Sequence, residues 1–304
     1  MLVRPRRAFP GTALLIRGTA VSQIWPWLLA IGGLATGVTV LNELVGLPEA
    51  ASVTLIPFSL MGLALSIFLG FRNNACYDRW WEARKLWGAL INQSRIQARH
   101  SMLFFEGSHE EYRALVRRVA GFPYALKAHL RTEASLSVLE EFVDPGEVTD
   151  IAGQANPPDA YLMKLGEQYT ALFREGRLTE YRYTELMRGV ARLSDIQGGC
   201  ERIKNTPVPI SYTVLTHRIV GLYCASLPFG LVAEIHWLTP AVVLIVSFAF
   251  LGLDAVGTQI EDPFEIDPND LPLAALARTI ERDLQSRTGD ALSPKVEPVA
   301  GILL

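Results

Sequence analysis

The chain has 304 residues, half of them hydrophobic and only 19% charged, with a formal net charge of −3. Soluble domains carry about 25% charged residues, so this composition points to a membrane protein with a substantial water-facing part. Slight net acidity speaks against a nucleic-acid binder, which carries a clustered basic excess, and the scattered Cys76, Cys200 and Cys224 fit neither a disulfide framework nor a zinc site.

In chain order, an arm bearing Arg4, Arg6, Arg7 and Arg17 leads into an uncharged stretch over 18–42. That stretch exceeds the core of a signal peptide and no small-residue cleavage site follows, so it is expected to remain as a spanning helix. Residues 50–71 and 235–253 are also uncharged, and 210–233 is equally long but contains His217 and Arg218. Each reaches the ~18–20 residues needed to cross a hydrocarbon core, which predicts four transmembrane helices. Arg72, Arg79, Arg84 and Lys85 follow the second span and Arg202 and Lys204 precede the third, whereas the connectors 43–49 and 234–238 have no Lys or Arg. The asymmetry predicts cytoplasmic termini and a cytoplasmic middle region, with Trp25, Trp27 and Trp237 near the interfaces.

The middle region is ordinary soluble sequence. LMKLGEQYTALFREGRL and YTELMRGVARLSDIQGGCERIKN repeat apolar residues every three or four positions. Breakers at 144–146 and 156–159 separate the helical runs, and strand-like alternation is lacking. The tail should hold a short helix near 273–285 and fray after Ser286. The expected organisation is an arm with the first two spans over 1–71, a helical cytoplasmic domain over 72–208, the remaining spans over 209–257, and an acidic segment with a cytoplasmic tail over 258–304.

From Phe58 to Glu106 only single glycines interrupt the helical pattern, a run of roughly 70 Å at 1.5 Å per residue. Leu63, Ile67 and Phe71 share one face of it, among the small residues Gly62, Ala64, Ser66 and Gly70, which allow close approach of neighbours. Spacing leaves two readings open for this stripe, helix packing (the commoner) or a pore wall.

FLGFRNNACYDRWWEARKLWG resembles the second transmembrane segment of the bestrophin family. QGGCERIKNTPVPISY and GTQIEDPFEIDPNDLPL resemble that family's later motifs in the same order, so the likeness runs to about Asp283, and it is to the bacterial branch. The resemblance implies an all-α membrane protein of the bacterial inner membrane, a homopentamer whose central pore is lined by the second helix. Such a channel passes small monovalent ions, chloride and other anions first. The family's hydrophobic neck falls on Leu63, Ile67 and Phe71, three apolar rings that can gate by dewetting. The positive edge of the Phe71 ring suits an anion, but aliphatic Leu63 and Ile67 depart from the aromatic-rich necks of animal members and keep a monovalent cation channel as the alternative. A second constriction of the family falls within 177–183, with Tyr181 the best match.

Asn73 and Asn74 are candidate polar lining at the neck's inner end. Arg79, Trp80 and Trp81 read equally as an anchor of the cytoplasmic mouth and as interfacial tryptophans beside a snorkelling arginine. Arg218, a charge within a span, is expected to pair with an acid or a helix terminus. Glu261, Asp262, Glu265, Asp267 and Asp270 stand where animal bestrophins bind activating calcium. Here Pro263, Phe264, Ile266 and Pro268 interrupt the acids and no EF-hand spacing is present. They are read as helix caps and partners of the basic arm, which makes the channel calcium-independent, with no cofactor or metal. No catalytic motif appears, and His100, His109, His129, His217 and His236 lack metal-ligand spacing, His100 and His109 reading as surface residues. The chain is therefore not read as an enzyme; its expected partners are further copies of itself, the bilayer and permeating ions. A membrane scaffold or receptor without a pore is the alternative of another class, and it gives the 63/67/71 stripe no role.

Overall fold

The computed structural model describes residues 18–46, 55–104, 107–299 and 301–303. The arm with Arg4, Arg6, Arg7 and Arg17, and the first residues of the second expected span, lie outside them. Nine α-helices run among the described residues, with no named strand: α1 Val21–Val45, α2 Leu55–Leu103, α3 His109–Leu130, α4 Pro145–Ala152, α5 Pro157–Arg174, α6 Glu180–Asn205, α7 Ile210–Ile235, α8 Thr239–Glu261 and α9 Leu273–Thr288. They divide into two units. One comprises the residues up to Trp80 with Pro207–Asp262, the other Trp81–Thr206 with the residues from Pro263 onward.

The first unit holds the apolar helices. Val21–Val45, Leu55–Leu103 and Ile210–Glu261 are long and apolar enough to cross a membrane. The last of these is two helices, α7 and α8, parted by the short 3-10 turn His236–Leu238, where His236 takes a φ of 46°. Contacts give the chain directions. Tyr223 meets Phe250 edge-on at 5.2 Å and His217 meets Asp254, so α7 and α8 run antiparallel. Gly62 faces Tyr223 and Gly230 faces Phe58, setting α2 antiparallel to α7, while Gly32 against Leu244 and Gly252 against Ile24 set α1 antiparallel to α8. The start of α1 and the end of α8 therefore share one end of the bundle. At the other end His236 Nδ1 lies 2.7 Å from Glu43 Oε1. Small residues at these crossings replace the hydrophobic drive that lipid cannot supply between helices: the Tyr223 hydroxyl comes within 2.7 Å of where a Cβ on Gly62 would stand. Gly70, by contrast, is exposed with open space around its Cα.

In the second unit the helix starts follow their capping residues. Ser108 and Glu111 form a capping box at α3: the Ser108 N–H donates to Glu111 Oε2 at 2.7 Å and the Glu111 N–H donates to Ser108 Oγ at 3.3 Å. Asp144 and Asn156 precede prolines that open α4 and α5, as the breakers at 144–146 and 156–159 require. Along the C-terminal half of α2, Ala83, Trp87, Leu90, Ser94, Gln97 and Ser101 are all fully buried. Ser101 Oγ lies 2.6 Å from the Tyr169 hydroxyl, and Gln97 Nε2 donates to it at 3.1 Å, tying α2 to α5. The tail departs from its expected fraying. Helix α9 runs to Thr288 and stops at Gly289, whose φ of 74° suits a residue without a Cβ. Beyond it the Ser293 N–H donates back to Gln285 Oε1 at 2.8 Å and its hydroxyl meets Glu281, because buried Glu281 gathers Tyr124, Arg278 and Gln285 around its carboxylate.

Candidate functional site

Within the first unit, α2 has two opposite faces. Phe58, Leu65, Leu69, Arg72 and Cys76 recur at seven, four, three and four residues and are buried against the bundle. Leu63, Ile67 and Phe71 lie on the other side, 61%, 51% and 65% exposed. Within the chain they are unpacked, and the stripe packed against the bundle is the other one. Asn74 and Asp78 continue the exposed line. Asn73 turns away from it: its Nδ2 donates to the Leu253 carbonyl on α8 at 2.9 Å. Gly257 makes the room, since a Cβ there would overlap the Asn73 carbonyl.

Beside this line sits a buried charge network that the sequence shows only as a flanking arginine. Arg72 is 1% exposed. Its Nη1 donates to Asp254 Oδ1 at 2.8 Å, and its Nη2 to Thr258 Oγ1 at 2.9 Å and Glu261 Oε2 at 3.3 Å. The other Asp254 oxygen lies 3.2 Å from His217 Nε2. A charge away from water survives only with partners of this quality; three residues of α8 supply them to Arg72, and His217 of α7 adds one to Asp254. Pairing expected of Arg218 has gone to its neighbour and to Arg72: Arg218 is exposed and no described residue bonds its guanidinium. One could have found Arg72 from sequence by asking which acid within an apolar run, here Asp254, needs a cation at the same depth.

Arg79 Nε donates to the Glu261 carbonyl at 3.1 Å and its Nη2 lies 3.9 Å from Asp262, so it closes the last turn of α8. Trp80 stacks on Tyr77 at 6.3 Å, and Trp81 is exposed. In the second unit, Glu265 is exposed, and its carbonyl, with those of Phe264 and Leu271, accepts from Arg131. Buried Asp270 accepts the Asp267 N–H at 2.7 Å through Oδ2 and leaves Oδ1 without a partner. Burial, the dominant influence, pushes its carboxyl up to about 7. The carboxylates of Glu261, Asp262 and Asp270 are thus engaged one by one while Glu265 and Asp267 are exposed, and no cluster of three metal-ligating side chains stands among the described residues. Tyr181 is 76% exposed in the first turn of α6, while nearby Tyr183 stacks on Phe173 at 4.7 Å. His100 is half-buried, stacks on Phe104 at 4.4 Å, and is held below the usual histidine range by burial.

Fold and site together define an all-helical membrane protein whose longest helix exposes an apolar line beside a buried ion-pair network. Residues 1–286 match the family described as bacterial and fungal bestrophin, and the chain belongs to that family. A voltage-dependent anion channel-forming protein of Mesorhizobium japonicum is 37% identical over 298 residues, 98% of this chain and 95% of that one. Another so named, from Salmonella typhi, is 37% identical over 289 residues, 93% of each chain. A crystal structure of a bacterial bestrophin homologue from Klebsiella pneumoniae superposes with a TM-score of 0.81 at 35% identity, covering 87% of this chain and 98% of that one. Family membership makes this a channel-type protein and not an enzyme.

Proposed function

We propose that five copies of the chain assemble around an axis lined by α2 and form an anion channel of the bacterial inner membrane. The exposed line Leu63, Ile67 and Phe71, opposite a fully packed seam on the same helix, carries this proposal. Repeated five times, it makes three apolar rings that hold water out until they widen, with Asn74 offering a polar ring below. Four spanning helices, α1, the first half of α2, α7 and α8, put both ends of the bundle's chain on one side. The Lys and Arg flanks make that side cytoplasmic. Tyr181, exposed and unstacked, supports the narrowing at the cytoplasmic exit. Names given to the relatives favour anions over cations, and chloride is the small monovalent anion proposed first. Asp78 on the exposed line and aliphatic Leu63 and Ile67 are what favour the cation alternative.

The deciding measurement is the reversal potential of purified protein in a bilayer under asymmetric KCl. A value near the chloride equilibrium potential is expected, and one near the potassium potential establishes the alternative. EGTA should leave the current unchanged, since no calcium requirement is proposed. Crosslinking should give a ladder ending at the pentamer; monomers alone would remove the shared pore and favour the scaffold reading.

A further inference from the structure

Between α1, α7 and α8 lies a groove of ≈ 500 Å³ whose lining changes character along its length. Trp27, Ile31, Leu34, Ala225 and Leu251 make one stretch wholly apolar, and Gln23, His217 and Thr258 gather at the other. From Gln23 to Leu34 the groove follows α1 for about 16 Å at 1.5 Å per residue, half of the roughly 30 Å hydrocarbon core. Its polar stretch adjoins the starts of α1 and α7 and the last turns of α8, the end assigned to the cytoplasmic surface. Polarity therefore falls toward the bilayer centre, as it does along one phospholipid.

We infer that this groove holds the acyl chain of one phospholipid of the cytoplasmic leaflet, its phosphate met by Arg218. Arg218 follows His217 in the same turn of α7, exposed and bonded by no described residue, and an unpaired cation within a span calls for an anion. Asp254 at the polar end does not repel a phosphate, because its oxygens are engaged by Arg72 at 2.8 Å and His217 at 3.2 Å. Gln23 remains to donate to an ester carbonyl.

The inference rests on the membrane placement proposed above, and alkaline carbonate extraction tests that placement separately. The full-length protein, reconstituted with phosphatidylglycerol and re-extracted in mild detergent, is assayed for retained lipid by native mass spectrometry. About one phospholipid per chain is expected. Ala225→Phe, which fills the apolar stretch, should retain roughly tenfold less, the effect of displacing only two or three methylenes. Arg218→Gln should also lose lipid while Arg218→Lys keeps it; these exposed substitutions decide the matter if Ala225→Phe fails to assemble. Equal retention by wild type and Arg218→Gln overturns the inference. So does a cysteine at Gly221 that crosslinks to a neighbouring copy, since protein would then fill the groove.

Discussion

Arg72 is the residue on which the membrane unit turns. A guanidinium this buried is stable only while Asp254 and Glu261 face it, and removing one partner of a buried pair costs about 3–5 kcal/mol because the survivor is left charged and unpaired. Asp254→Ala should therefore lower the thermal midpoint of the detergent-solubilised protein sharply. Replacing Arg72 by Leu in the same chain should recover much of the loss, and equal damage from single and double variants would contradict the pairing. At this scale the sequence misleads in a definite way. Arg218 stands inside an apolar run and attracts notice, whereas Arg72 stands at the end of one and reads as a flank. Which of two nearby cations is paired depends on partners some 180 positions away, and no local pattern encodes that.

At the scale of elements the sequence does better, because helical periodicity and capping are local. The run from Phe58 to Leu103 is one helix as expected, and the fragments read as helical in the middle region form α5 and α6. What the pattern leaves open is which face packs. In the second unit Trp87 fills the seam of α2 without a partner for its Nε1. Trp87→Ala should cost about 3–5 kcal/mol, but Trp87→Phe distinctly less, since it removes an orphan donor that costs ~1–3 kcal/mol when buried; thermal midpoints of the two variants check the order. The segment after α8 offers a pH test. Free aspartate titrates near ~3.9, and burial raises Asp270 to about 7, so the folded state holds this proton more tightly than the unfolded one. Its stabilising contribution is complete below pH ~4 and is lost as pH climbs toward about 7. Asp270→Asn, which cannot ionise, should flatten that part of the stability profile, and an unchanged slope would show that Asp270 does not titrate there. The tail was legible only as far as its helix: Ser293 returns to Glu281 and Gln285 through side-chain bonds that spacing does not announce.

For the whole molecule, the two faces of α2 make the assembly testable residue by residue. In an assembled channel, single cysteines at positions 63, 67 and 71 should react with a small charged thiol reagent and alter the current, while cysteines at 65 and 69 should not. Leu63, Ile67 and Phe71 replaced together by Ala should widen the neck and raise conductance; no increase would place the gate elsewhere. Composition and periodicity already carry the helices and the apolar runs, and short motifs carry the resemblance to the family, since each is set by residues close together in the chain or by the average polarity of a segment. Tertiary contacts alone reveal that α2 buries 65, 69 and 72 and exposes 63, 67 and 71, that Asn73 leaves the exposed line for α8, and that Arg72 owns Asp254. A helix of mixed apolar faces can be turned either way by its own sequence, and the choice is made by the small residues and the buried ion pair that the neighbouring helices bring against it.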